Sequence, residues 1–369
     1  MSVKALLTRQ VDARPLALTR IVVGLSGIAF AVFVERRGLN RLAEEGIFTA
    51  PPTDFLPALT PGLVDVLIAL WIAFGIALTL GLFARTSAAG VALVAGASIA
   101  LDLQAFSNHV TLLIALSALL ALGDPGAVWS LDARRRGTRS AVPYWPVFLL
   151  KFQVTTVYAY AALTKVNGSF LGAEVLASRW EPVVGSSPAG GVEAVLVGVA
   201  ISTVLAEGFL AVGLWDERLR RIALPLGLGL HVAIPATLGV TLIPFSTMML
   251  AVYVLFPDWL PGSRTVSWDA REAALSRFVG RYRRLDWFGI HSYVPGADAR
   301  DRESAKQALV VEAGGDRVEG YRAVCALLEQ SPVTFLVAPI LRAPGISRLG
   351  AARYRRMAGA PGRMQPART

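Results

Sequence analysis

The chain has 369 residues, of which 54% are hydrophobic and 17% charged, and a positive mean hydropathy of +0.54. Soluble domains carry nearer a quarter charged residues, so this composition excludes an ordinary soluble enzyme and selects a membrane protein. The net charge of +10 fits topology signals and anionic lipid better than nucleic acid, and the single cysteine, Cys325, excludes an internal disulfide and a multi-cysteine metal site.

In chain order, Lys4, Arg9 and Arg14 precede an apolar run from about residue 16 to 35. No small-residue cleavage site follows a short apolar core, so the run reads as a retained first span behind a cytoplasmic tail of residues 1–15. Further candidate spans lie near 62–83, 87–104, 108–124, 144–164, 192–214, 221–240 and 241–257, eight in all. The last two are barely separated, which leaves seven or nine open. Segment 36–61, with Arg36, Arg37, Arg41 and the Pro51-Pro52 pair, is too polar to span and reads as an interfacial helix and loop.

Basic residues set the orientation. With a cytoplasmic N-terminus, the inner loops hold eleven, among them Arg85, Arg134, Arg135 and Arg136, and the outer loops hold five: Arg36, Arg37, Arg41, Lys165 and Arg179. Both termini are then cytoplasmic by the positive-inside rule. His109 falls at the outer entrance of the fourth span, Lys165 at the outer end of the fifth and His231 near the middle of the seventh. Asp102 and Glu207 add carboxyls at the third and sixth spans.

Ionisable groups in lipid are expensive and mark function by default. Each also has a structural reading. Lys165 is open to snorkelling into the headgroups, as expected of Lys151 in the same span. His109, His231, Asp102 and Glu207 are open to capping or to bonding a neighbouring helix.

Several stretches together resemble the HTTM domain, the membrane domain shared with vitamin K-dependent gamma-carboxylase. They are Arg20…Gly24, GLFARTSA (81–88), SNHVTLLIALSALLALGDPGAVWSLD (107–132), the pattern Gln153…Tyr158…Ala162…Lys165…Gly172, and the run 206–259 with His231 and its closing Pro-Asp-Trp. The resemblance implies that Lys165 is the base that deprotonates a reduced quinone, menaquinol or vitamin K hydroquinone. Oxygen then turns the quinol into a strong base that takes a proton from a glutamate, and carbon dioxide adds to the carbanion. His109 and His231 would support this chemistry, and Asn108, Gln153, Tyr158 and Glu207 are the candidate cofactor-binding residues; no metal is expected. A lysine working as a base needs a lowered pKa, which a poorly solvated membrane boundary supplies. The sequence departs from the carboxylase pattern at Thr164, Asn167 and Phe170, and no large lumenal domain follows the spans.

Residues 260–369 are a different kind of chain, with eighteen basic and ten acidic residues. QALVVEAGGDRVEGY (307–321) predicts strand, Gly-Gly turn and strand, and AVCALLEQ (323–330) predicts a helix. From about 305 to 357 the segment resembles the second half of DCC-type thioredoxin-like proteins without their Cys-x-x-Cys motif, so Cys325 reads as a core residue.

The expected fold is an all-α polytopic membrane protein of about eight transmembrane helices (16–259), with a small α+β cytoplasmic C-terminal segment (260–369). The expected function is a quinol-dependent, carboxylase- or quinol-oxygenase-like enzyme of the inner membrane. The alternative is a non-catalytic factor for maturation of, or immunity to, a secreted peptide. A transporter with Glu207 and Asp102 lining its path is a third reading. The expected partners are the bilayer and a peptide or protein substrate, with no nucleic acid.

Overall fold

A computed structural model describes residues 3–45, 56–178, 191–270, 272–295 and 309–357. The chain divides into two compact units, Met1–Pro257 and Asp258–Thr369.

The first unit is helical. After α1 (Val3–Thr8), strand β1 (Gln10–Asp12) pairs antiparallel with β2 (Ala141–Pro143) and so ties the N-terminal strand to the start of a later helix. Asp12 then caps α2 (Ala13–Phe30) by accepting from the Arg14 N–H. A π-turn, Ala31–Glu35, carries α2 into the polar α3 (Arg36–Glu45). The rest of the polar 36–61 stretch lies largely outside the described residues. Thr60 caps α4 (Pro61–Leu80), with Pro61 at its first position, and Gly81 ends it in the left-handed region at φ 66°. Next come α5 (Ala84–Leu101) and α6 (Asn108–Leu122). The short α7 (Leu131–Arg136) precedes α8 (Tyr144–Thr164) and the one-turn α9 (Gly168–Leu171). The unit closes with α10 (Gly191–Gly213), α11 (Glu217–Leu238) and α12 (Ile243–Tyr253).

Six of these helices are long and apolar enough to cross a membrane: the one running Ala13–Ala43, then α4, α5, α8, α10 and α11. Two expected spans are shorter. The helix α6 has 15 residues, and the segment Val240–Tyr253 begins with a 3-10 turn after Gly239. At 1.5 Å per residue, 15 residues reach about 22 Å, less than the roughly 30 Å hydrocarbon core.

Several stretches that set the sequence apart turn out to hold the scaffold. Arg20, fully buried in α2, donates to three backbone carbonyls: Pro125 O at 3.1 Å, Trp129 O at 2.6 Å and Thr79 O at 3.4 Å. A Cβ at Gly81 would overlap the Arg20 guanidinium. Beside it, the Asp132 carboxylate accepts the N–H groups of Phe83 (3.0 Å) and Ala84 (2.8 Å) and caps α5. One cation and one carboxylate thus close the α4–α5 turn against the loop that precedes α7.

The second unit is a four-stranded sheet covered by helices. Its strand order is β4-β3-β5-β6: β3 (Arg264–Trp268) and β4 (His291–Pro295) run parallel, joined through α13 (Ala273–Tyr282). Strand β5 (Val310–Ala313) runs antiparallel to β3 and forms a hairpin with β6 (Asp316–Glu319). The two-residue turn, Gly314-Gly315, has φ 57° and 95°, a geometry that glycine adopts without strain. Helix α14 (Gly320–Glu329) starts three residues earlier than the sequence predicted, and α15 is Pro344–Met357. The core packs Val266, Leu309 and Val311 against Leu275, Val279, Tyr282, Ala323 and Leu327. Cys325 is buried on α14.

Candidate proton-handling site

Helix α8 carries the site. Its buried stripe follows helical spacing, and Lys151, Tyr158 and Lys165 recur on it every seven residues, with Val154 and Ala162 buried between.

Lys165 caps the end of α8. Its Nζ donates to both oxygens of Glu207 on α10, at 2.9 and 2.8 Å, and to the Ala161 carbonyl at 3.2 Å. The Glu207 side chain is 9% exposed and that of Lys165 27%, so the carboxylate is the sealed partner and the ammonium the accessible one. Lys165 therefore turns into the bundle. The Phe170 ring of α9, one of the positions where the sequence departs from the carboxylase pattern, lies 5.7 Å from Nζ.

Two turns earlier, the buried Tyr158 hydroxyl lies 2.6 Å from His231 Nε2 on α11 and 2.5 Å from the Tyr253 hydroxyl on α12. A phenol holds one proton, so Tyr158 donates to one neighbour and accepts from the other. His231 Nδ1 is buried and has no hydrogen-bond partner among the described residues; the same is true of His109 Nδ1. Both imidazoles lean on one ring, Phe245 of α12, with centroids 4.9 Å (His109) and 5.9 Å (His231) away. Pro235 lacks the N–H that would close the helical bond to the His231 carbonyl. The site thus draws on α6, α8, α10, α11 and α12.

Not every predicted residue joins it. Asn108 is exposed at the first turn of α6, whose cap is Ser107, accepting from the Val110 N–H. The capping role considered for His109 therefore falls to Ser107. Gln153 is half-buried beside the α8 stripe, five residues from Tyr158. Asp102 is buried and caps the 3-10 turn Leu103–Ala105 through the Gln104 N–H, so a local turn explains its place.

Lys151 corrects an expectation: it does not snorkel. It is 6% exposed, donates to the Tyr144 hydroxyl at 3.1 Å and sits over the Trp215 ring at 4.5 Å and the Phe256 ring at 4.9 Å. The quadrupoles of these rings favour the cation where water is excluded. Sequence reading also missed Tyr253. A phenol in an apolar helix looks like core, and its only signal was that a buried tyrosine hydroxyl needs a partner.

No group of three or more histidine, cysteine, aspartate or glutamate side chains able to hold a metal occurs among the described residues. A quinone needs no such cluster. It needs polar groups for its oxygens and a flat apolar wall, and the two unpaired imidazole nitrogens beside Phe245 fit that demand.

A family model described as the HTTM domain matches residues 8–259. No curated protein and no solved structure matches the chain.

Proposed function

The chain belongs to the HTTM domain family, and on that premise we propose that it is a membrane enzyme acting on a lipid-soluble quinol, with the Lys165–Glu207 pair as its proton acceptor. The observation that carries this reading is the bidentate pair itself, which joins an accessible ammonium to a buried carboxylate. An ammonium has no lone pair, so the pair would act as a base by passing one Lys165 Nζ proton to the Glu207 carboxylate, which leaves a neutral amine to take the substrate's proton. Lys165 Nζ presents the pair to the substrate, and Glu207 receives or returns the proton behind it. The phenols of Tyr158 and Tyr253, with His231, form a hydrogen-bonded run that orients neighbouring groups and passes a proton between oxygen and nitrogen atoms. A bound reduced quinone would supply the hydroxyl to be deprotonated and, with oxygen, the strong base that carboxylase-type chemistry uses.

The topology belongs to the same reading. The six long helices and the two shorter ones together make eight crossings of a bacterial inner membrane, with both termini in the cytoplasm and Lys165 towards the outer face. A secreted peptide or protein is the proposed final substrate.

The test is quinol turnover by the purified full-length protein in lipid nanodiscs supplied with reduced menaquinone. The expected result is oxygen-dependent quinone or epoxide formation that Lys165→Ala abolishes and Glu207→Gln strongly reduces. A folded wild type that binds quinol and turns none over would overturn the enzyme and favour the peptide-maturation or immunity factor.

A further inference from the structure

Among the described residues, the end of the second unit leaves two apolar patches uncovered. Between Ser331 and Arg342, a run of turns that ends in the 3-10 helix Ala338–Arg342, Phe335 and Ala338 are buried, whereas Val333, Val337 and Ile340 are exposed. Helix α15 continues the pattern. Tyr354 packs inward and its hydroxyl accepts the Leu309 N–H at 2.8 Å, while Gly350 lies against Tyr321. Ile346 and Leu349 fall on a separate stripe that continues into Arg353 and Arg356, and Leu349 is 75% exposed.

The charge is equally one-sided. Helix α15 has four arginines (Arg348, Arg353, Arg355 and Arg356) and no acidic residue. All four are exposed and form no ion pair among the described residues. Elsewhere in the unit Arg317 pairs with Glu312 and Glu319, and Arg342 with Glu329, but no other described helix or strand of the unit gathers four arginines without an acidic residue.

We propose that this face binds an anionic bilayer surface. The aliphatic side chains enter the headgroup boundary and the four arginines pair with lipid phosphates, the arrangement of an interfacial amphipathic helix. Two observations favour lipid over a protein partner. Leu349, Ile346 and the three exposed residues before them are aliphatic, without the aromatic anchors that dominate protein interfaces. The last apolar helix also ends at Tyr253 and this unit's sheet opens at Arg264, so the chain itself keeps a bilayer within reach. The inference is independent of the enzymatic reading.

The experiment uses full-length Leu349→Cys labelled with an environment-sensitive fluorophore, the native Cys325 being buried. The protein is placed in nanodiscs of phosphatidylcholine alone or with phosphatidylglycerol, each with and without spin-labelled lipid. The expected result is quenching by spin-labelled lipid in the anionic discs only. It is lost when the four arginines are changed to glutamine, and in 1 M salt, where screening shortens to about 3 Å. A second probe at Asp316→Cys, on the β5–β6 hairpin, stays unquenched. No quenching at position 349, equal quenching in neutral discs, or equal quenching of the hairpin probe would each overturn the proposal. A fluorescence shift without lipid quenching that grows with protein concentration would assign the face to a second copy of the chain instead.

Discussion

At the scale of single residues, the site is a set of polar atoms whose partners lie on other helices. Tyr158→Phe removes both hydrogen bonds of the central hydroxyl and strands His231 Nε2, whereas Tyr253→Phe leaves the Tyr158–His231 bond in place. Leaving a buried donor or acceptor unsatisfied costs about 1–3 kcal/mol, so Tyr158→Phe is expected to lower stability more than Tyr253→Phe in thermal melts of the protein in nanodiscs. The double variant is expected to cost less than the sum of the two, because the substitutions share one bond. Glu207→Ala removes the partner of a partly exposed lysine, and a loss of about 2 kcal/mol is expected, typical of a hydrogen bond to a charged group. Glu207→Gln is expected to recover stability without recovering turnover. The sequence pointed to Lys165, Glu207, His109 and His231 because ionisable residues stand out in apolar runs. It did not show who pairs with whom: Lys165 and Glu207 lie on different helices, and no periodicity within one helix encodes the contact between two. The Lys151 error has the same origin. Its place near a helix end implied snorkelling, but Trp215 and Phe256, which hold it, come from later in the chain.

At the scale of elements, close approach between helices sets the geometry. Gly227 of α11 lies against the Tyr253 hydroxyl, and a Cβ there would overlap it. Gly227→Ala is therefore expected to displace the Tyr158–Tyr253 pair and to cost about 1–3 kcal/mol by overpacking. Thermal melts would show the loss, and hydrogen exchange would localise it to α11 and α12. Gly24 of α2 meets Thr79 of α4 in the same way, including its backbone N, which cannot rotate aside. The long apolar helices were legible, since apolar runs bounded by Pro, Ser, Thr and Asp leave little choice, and six of the eight expected spans are long and apolar enough to cross a membrane. Helices α13 and α15 of the second unit, whose faces are mixed, were not foreseen. Helix lengths were less legible. The sequence extended the fourth run to residue 124, but Gly123 ends α6, and Gly239 separates α11 from the final short helix. The β5–β6 hairpin was legible because a Gly-Gly pair between alternating residues specifies its own turn.

At the scale of the whole molecule, each unit has its own lock. In the second, Asp286 accepts from the Ile290 and His291 N–H groups and from the Tyr293 hydroxyl, and its carboxylate lies 3.3 Å from His291 Nδ1. Burial pushes the Asp286 carboxyl up, but the bonds from His291, Ile290 and Tyr293 outweigh it and hold the carboxyl below its ordinary value. A depressed carboxyl stabilises the fold above its unfolded pKa of about 3.9 and loses that contribution as pH falls through the folded value. Protection against hydrogen exchange across residues 264–295 of the full chain, corrected for the intrinsic exchange rate at each pH, is therefore expected to stay flat from neutral pH to about 5 and to fall in stronger acid. Asp286→Asn is expected to flatten that acid response. In the first unit the lock is Arg20. Replacing it with leucine leaves three carbonyls without their donor, and a loss of cooperative unfolding is expected in melts of the nanodisc-embedded protein. Among the described residues every acceptor of Arg20 is a main-chain oxygen, and no substitution of a side chain deletes a main-chain oxygen. The mutational burden therefore falls unequally: in a saturation scan, position 20 and its neighbour Gly81 should reject nearly every replacement, while positions 125 and 129, whose carbonyls Arg20 binds, should accept many.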